Sequence, residues 1–292
     1  MILDSISGGL ISAVYLIPIV IAFCIASVHG KYLPLWLPSC GLTAAYFCYW
    51  GTEVLRLSPF VVLPAAVCFS AGLAVVLHWA LFRVHVDRGE PYPALLKAIA
   101  IGVFLESFLS WTTHGYALSF REMKPAWTTE LPRLGLTVDF SDMAALAAAA
   151  FLAPLVPWVL RSTWPGLAYR AVASNRNLAP EYQLPVARID LGSMALCGAL
   201  SAAGAVVFAM KYDLNAQMLG DPTMKIAAVV VAFGAERPTL AIGGIVMIGV
   251  IESIAQSVGY LATFSSSVAY VVLVGALLFR HVAGAMRSRA TA

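Results

Sequence analysis

Glu106, Glu252 and His78 fall inside long apolar runs, at 93–111, 239–257 and 59–82 respectively. An ionisable group at that depth faces the interior of a bundle and is either paired or functional. Two carboxylates and an imidazole are what a proton relay needs, yet these stand on separate runs with no repeated acidic pattern. Pairing inside the bundle is therefore the expectation for each. Covalent chemistry has less to work with. The five histidines are scattered at 29, 78, 85, 114 and 281, no HExxH occurs, and no serine has His and Asp at usable depth. Cys24, Cys40, Cys48, Cys68 and Cys197 lack CxxC or metal-ligand spacing and read as small apolar packing residues. No catalytic residue and no metal site is expected. The glycine-rich phosphate loop GxxxxGK[ST] is also missing, so a nucleotide-driven step would need another chain.

A second set of residues points to contact rather than catalysis. Between two apolar runs lies RAVASNRNLAPEYQLPVAR, residues 170–188, with Arg170, Arg176 and Arg188. A lipid-buried helix would not carry it. Thr163 suits a helix cap and Pro165 a first turn, while Leu167, Ala171, Val172 and Leu178 predict a modest apolar stripe opposite Arg170 and Arg176. Asn175 marks a helix end, and Pro180 and Pro185 limit any helix beyond it. Two roles fit such a strip: arginines held to anionic lipid, or a short helix docking on a soluble partner.

The elements that position these residues follow from composition. The chain has 292 residues, 61% of them hydrophobic and 11% charged, and its mean hydropathy is +0.85. That excludes a soluble globule. The net charge of +3 is too small and too scattered for a nucleic-acid surface. Runs of spanning length occur at 7–28, 33–52, 59–82, 93–111, 141–160, 189–210, 239–257 and 264–280. The first has no basic lead and no cleavage site, and reads as a retained span. Met224–Phe233 is too short to cross alone and predicts a half-helix or part of a broken span. Pro34 and Pro38 disturb the start of the second run. The fold class is thus all-α: a polytopic helical membrane protein of eight or nine crossings with broken or half helices.

Basic residues orient it. The connection 161–188 holds four Arg against one Glu, and the tail carries Arg280, Arg287 and Arg289, so both are expected in the cytoplasm. The connection 112–140 balances three basic with three acidic residues and fits the outside, with Trp111, Tyr116 and Trp127 along the headgroups. Glu53 and Lys97 sit near span ends and read as interfacial. Ser265, Ser266 and Ser267, with Gly198, Ser201, Ala202 and Ala205, suit close helix packing.

The segment Gly166-Leu-Ala-Tyr-Arg-Ala-Val-Ala-Ser-Asn175-Arg-Asn-Leu-Ala179 resembles the coupling segment, GxxxRAxAxNxxxA, of the permease subunits of branched-chain amino acid ABC importers. GGLISAVYLI at 8–17 resembles the opening of that family's first span. His29-Gly30 falls at its AHG ending, and Ile242-Gly243-Gly244 with Glu252 resembles its late IGG and following Glu. The resemblance implies one transmembrane permease domain over 1–292, with 162–188 as a cytoplasmic coupling segment and 112–140 as an external loop. Gly166, Arg170, Ala171, Asn175 and Ala179 would carry ATPase coupling. The implied partners are a second and different permease chain, two cytoplasmic ATPase subunits that hold ATP and Mg, a periplasmic solute-binding protein, and membrane lipid. This chain would hold no cofactor. It would lie in a bacterial-type inner membrane, crossing many times, with its C-terminus cytoplasmic.

The chain departs from the family pattern where glycine is usual. Against GGxGSxxGAxxGG it reads Ala232-Phe-Gly-Ala-Glu-Arg-Pro-Thr-Leu-Ala-Ile-Gly243-Gly244, and Ser27-Val28 stand before His29 in place of Asn-Phe. Fewer glycines keep backbone and solute further apart. Solute contacts are expected from irregular backbone along a pathway of His29, Gly30, Gly220, Phe233, Gly234, Gly243 and Gly244. The expected function is ATP-driven import, by alternating access, of a hydrophobic amino acid, urea or a short amide. The alternative is a self-sufficient secondary transporter or channel driven by an ion gradient.

Overall fold

A computed structural model describes residues 2–120, 128–131, 136–176 and 178–257, and beyond them Ser267, Tyr270, Val271, Val274 and Gly275. The expected span 264–280, the serines at 265 and 266, the tail arginines and Trp127 lie largely or wholly outside these residues.

The chain opens on two helices that the sequence reads as one span. Helix α1 (Ile2–Val14) and helix α2 (Ile17–Gly30) meet at a bend of 46°. Pro18 in the first turn of α2 has no N–H for the carbonyl of Val14, and its ring would crowd that turn, so a straight helix cannot run through. Every residue of α2 except Val28 is buried. Its sequence, IPIVIAFCIASVHG, is apolar all round, which is what a helix enclosed on every side requires.

Around α2 stand α3 (Trp36–Tyr49), which runs into a π turn at Trp50–Val54, and α4 (Pro59–Leu77), which continues through a second π turn at His78–Phe82 into α5 (Arg83–Arg88). Next come α6 (Pro91–Thr112), α7 (Phe140–Ser162), the short α8 (Trp164–Ser174), α9 (Val186–Lys211), α10 (Gly220–Phe233) and α11 (Pro238–Ser257). A hairpin of β1 (Thr128–Leu131) and β2 (Leu136–Asp139) precedes α7 and lies within the connection 112–140. Its second strand leads into a capping box, in which Asp142 accepts the Asp139 amide at 2.9 Å and Asp139 caps in return.

Helix α9 packs along α2, α3 and α4. The approach depends on small residues, as expected: a Cβ on Gly198 would lie 2.7 Å from the Ser70 carbonyl oxygen, and Ser201 donates to the Leu37 carbonyl at 2.8 Å. The outer helices face away from this core with apolar side chains. Phe60, Phe104, Phe151 and Trp158 are all exposed, a distribution only an apolar surround or a partner tolerates.

Among the described residues, five helices are long and apolar enough to cross a membrane, or six if bent α1–α2 counts as one, where the sequence predicts eight or nine crossings. Run 33–52 falls out of that count: α3 is 14 residues long, and its continuation carries Trp50, Thr52 and Glu53. The stretch at 224–233 lies in a 14-residue helix, as its length predicts.

Candidate functional site

The strip begins as its cap residues dictate. Thr163 accepts the Gly166 amide at 3.3 Å and donates to the Val159 carbonyl at 2.7 Å, with Pro165 in the first turn of α8. At Gly166 a Cβ would lie 2.5 Å from backbone atoms of Val159 and Leu160, so glycine lets α8 fold back on the end of α7. The helix ends at Asn175, whose Oδ1 accepts the Leu178 amide at 3.3 Å while its carbonyl accepts the Ala179 amide at 3.2 Å. Ala179 is buried below a single 3-10 turn, Ala179–Tyr182.

The face that α8 turns inward differs from the expected stripe. Gly166, Ala168, Tyr169 and Val172 are buried, whereas Leu167, Ala171 and Leu178 are exposed together with Trp164 and Arg170. Only Val172 of the four stripe residues reaches the bundle. Spacing of three between 166, 169 and 172 sets the inward face. The bulk of Tyr169 and the lack of side chain at Gly166 fix which face that is. Outward, α8 offers an apolar surface around one arginine, Arg170, whose Nη2 donates to the Arg161 carbonyl at 3.1 Å.

Inward, α8 is tied to a buried polar cluster. The Tyr169 ring stacks on His29 at 5.7 Å and 20°, and its hydroxyl donates to the Ile25 carbonyl at 2.7 Å. Burial raises the Tyr169 phenol well above its usual range, so it stays a donor. His29 Nε2 stands 2.6 Å from Asp190 Oδ1 at the start of α9. The sequence puts Arg176 on the polar face beside Arg170, but its side chain is 15% exposed and turned inward. It bridges Asp190, through Nη1 at 3.2 Å and a shorter Nη2 contact, and Asp87 of α5, through Nη2 at 2.6 Å and Nε at 3.0 Å. Burial works against the Arg176 charge, but the hydrogen bonds to Asp190 and Asp87 outweigh it and raise its pKa further. His78, also buried, lies 6.4 Å from His29 ring to ring, and neither of its ring nitrogens has a hydrogen-bond partner among the described residues. One cluster thus joins the strip to α2, α5 and α9.

The residues expected along a pathway do not gather in one lining. His29 and Gly30 lie against this cluster. Phe233 and Gly234 end α10 close by, on a cavity of about 650 Å³ shared with Ala173 and Lys31. Gly234 has a φ of +88°, which suits glycine and stops the helix. Gly244 packs on Phe233, since a Cβ there would come within 2.6 Å of the ring, and Gly243 faces open space. Gly220 is at the other end of α10, about 20 Å away along a helix of that length.

The intramembrane polar residues separate by partner. Glu106 accepts from Ser39 Oγ at 2.9 Å. Glu252 is held by Lys225, whose Nζ lies 2.7 and 2.8 Å from its two carboxylate oxygens and 3.8 Å from Asp221. This pair borders a second cavity of about 310 Å³, beside the α1–α2 break. Sequence reasoning missed Lys225, Asp190, Asp87 and Tyr169. Asp190, an acid at the head of the otherwise apolar run 189–210, and Lys225, a lone cation in the half-helix, were the available signals.

Comparison with known proteins bears on the whole chain. A family model described as the permease component of branched-chain amino acid transport systems matches residues 9–279. No curated protein matches the sequence.

Proposed function

Because the chain belongs to the permease-component family of branched-chain amino acid transport systems, we propose that it is the membrane subunit of an ATP-driven importer. Its solute is a small polar or amphipathic molecule of the branched-chain amino acid, urea or short amide class. ATP and Mg bind on two separate cytoplasmic ATPase subunits, and a second permease chain of different sequence and a periplasmic binding protein complete the assembly. The chain is one permease domain of eight or nine crossings in a bacterial-type inner membrane. Residues 162–188 and the C-terminus are cytoplasmic, and the connection 112–140 is external.

The observation that carries the coupling role is the two-sidedness of α8. Its outer face holds Trp164, Leu167, Arg170 and Ala171 at the surface, uncovered by any of the described residues, as docking on a soluble subunit requires. Its inner face is fastened to α2 through Tyr169, and Arg176, just past the helix end, ties the strip to α5 and α9. Force applied to the outer face would pass to the first turn of α9 and the last turn of α2, where ATPase closure could reopen the route on the opposite side. Gly166, Asn175 and Ala179 shape the segment, while Arg170 and Ala171 make contact.

Charge reversal tests this. Arg170→Glu is expected to leave membrane abundance normal and to abolish ATPase co-purification or solute-stimulated hydrolysis, because breaking a buried interface pair costs ~2 to 5 kcal/mol. Arg188→Glu, on an exposed arginine outside α8, is the control. Attraction to anionic lipid is worth only ~1 kcal/mol per basic residue and would weaken both variants alike. Full coupling in Arg170→Glu would remove α8 as the contact. Ion-driven transport by this chain alone in vesicles, indifferent to ATP, would favour a secondary carrier.

A further inference from the structure

Lys31 and Arg237 stand at two chain reversals that meet at the end of the bundle where α8 lies. Lys31 follows the last turn of α2 with a φ of +53°, a left-handed conformation that is unfavourable for a residue other than glycine and persists where the surroundings impose it. Arg237 closes the turn from α10 to α11, its carbonyl accepting the Leu240 amide at 3.0 Å and the Ala241 amide at 3.2 Å as α11 starts. Both residues are exposed, and neither side chain forms an ion pair or hydrogen bond among the described residues. Both line one cavity of about 650 Å³, a volume inside the ~300 to 1,000 Å³ found for small-molecule sites.

The wall of this cavity offers more to a negative group than to a neutral one. Ser27, 9% exposed, is part of it, and its buried hydroxyl has no hydrogen-bond partner among the described residues, which leaves a donor unmet. The positive end of α11 adjoins it, because Ala235, Glu236 and Arg237, immediately before that helix, are wall residues. Two cations stand against one acid, Glu236, which is exposed. A neighbouring cavity of about 350 Å³ shares Val28, Ala173, Ala235 and Glu236 with the first. It adds an apolar wall of Ile25, Pro157 and Leu160, together with Arg161 and Arg170.

We propose that the cavity at Lys31 and Arg237 binds a phosphate group. The Arg237 guanidinium has paired N–H donors whose spacing matches two phosphate oxygens, Lys31 brings a mobile ammonium to a third, and the Ser27 hydroxyl has a donor to spare. Inorganic phosphate and the head of an anionic phospholipid share this chemistry, and the apolar wall of the second cavity suits the acyl chain of the latter. A zwitterionic or neutral solute brings no net charge to answer two cations, so the site is distinct from that of the proposed cargo. The proposal depends neither on an ATPase partner nor on the role of α8.

The test is ligand binding to the full chain purified in neutral detergent, by thermal shift and by direct titration. The probes are inorganic phosphate, short-chain phosphatidylglycerol and, as a lipid without net charge, short-chain phosphatidylcholine. Phosphate, phosphatidylglycerol or both are expected to raise the melting temperature with the logarithm of concentration, and phosphatidylcholine is not. A response to phosphate alone assigns the site to a free anion, and a response to phosphatidylglycerol alone assigns it to a headgroup. Lys31→Gln and Arg237→Gln should each weaken the responding probe by about tenfold, since each removes a hydrogen bond to a charged group. Ser27→Ala should weaken it less. Glu236→Gln should tighten binding, a gain that misfolding could not produce. Arg188→Gln removes the same charge from an exposed residue outside both cavities and should change nothing. Equal weakening in Arg188→Gln would reduce the effect to net charge and overturn the proposal. Unchanged affinity in the double variant Lys31→Gln with Arg237→Gln, an equal response to phosphatidylcholine, or no response to either anion would overturn it too.

Discussion

Two arginines of the same strip, Arg170 and Arg176, have opposite fates, and the reason is what faces them. Arg170 projects from α8 and meets a carbonyl of its own chain, while Arg176 is enclosed between Asp87 and Asp190. Removing one member of such a buried group leaves the others uncompensated, at ~3 to 5 kcal/mol. Asp190→Asn is therefore expected to lower the melting temperature of the purified protein clearly. Arg170→Glu should leave it unchanged, and equal melting temperatures for the two would show that the cluster contributes nothing to stability. Tyr169 divides its contribution between ring and hydroxyl. Tyr169→Phe keeps the stack on His29 and loses one hydrogen bond, an effect of ~0.5 to 1.5 kcal/mol. Tyr169→Ala empties the space under α8 and should cost ~3 to 5 kcal/mol. Thermal denaturation that ranks the two alike would mean that the ring does not hold the helix.

At the level of elements, the proposed coupling role of α8 requires a rigid seat. Gly166 sets that seat, since any Cβ there meets the backbone of α7 at 2.5 Å and the neighbours cannot yield as a flexible side chain would. Gly166→Ala is expected to lift α8 and destabilise by ~1 to 3 kcal/mol. In the assembled complex it should also reduce solute-stimulated hydrolysis while ATPase binding through Arg170 persists. Coupling equal to wild type would indicate that α8 can move freely against α7. The other decisive element is the α1–α2 break. It admits Ser12 and Leu16 to the wall of the Lys225–Glu252 cavity, which a straight helix would carry past.

For the whole molecule, the polar groups are concentrated and the outer surface is greasy. Buried charge collects in the Tyr169–His29–Asp190–Arg176 cluster, in the Lys225–Glu252 pair, and where Lys211 joins Asp142 at 3.0 Å and Tyr15 donates to the same carboxylate at 2.5 Å. Between these regions the outward faces of α4, α6 and α7 are apolar. Phe151, at the middle of α7 and 64% exposed, would stand at bilayer depth. Phe151→Lys should therefore lower membrane integration by ~2.5 to 3.5 kcal/mol on an insertion scale. Tyr182→Lys, on a residue that is also exposed but lies in the strip, should integrate normally. An insertion assay that finds both unaffected would take the α7 face out of the lipid.

Composition and run length determined the class of this protein, because about twenty apolar residues in sequence have few places to go but across a bilayer. The local capping chemistry of α8 was equally legible: Thr163, Pro165 and Asn175 act on backbone within four residues of themselves, and each does what its type predicts. Glu252 stood out as a charge in an apolar run, and its need for a partner followed. Which partner it has was decided by folding, because Lys225 is 27 residues away on another helix and no spacing rule connects them. The same holds for the inward turn of Arg176, drawn by Asp87 at a separation of 89 residues. It also holds for the face of α8, where apolar stripe and buried face part because Tyr169 finds His29. Periodicity reports which side of a helix is greasy, but only the packed neighbours decide which side is covered, and that division put Arg170 on the outside of the molecule and Arg176 within it.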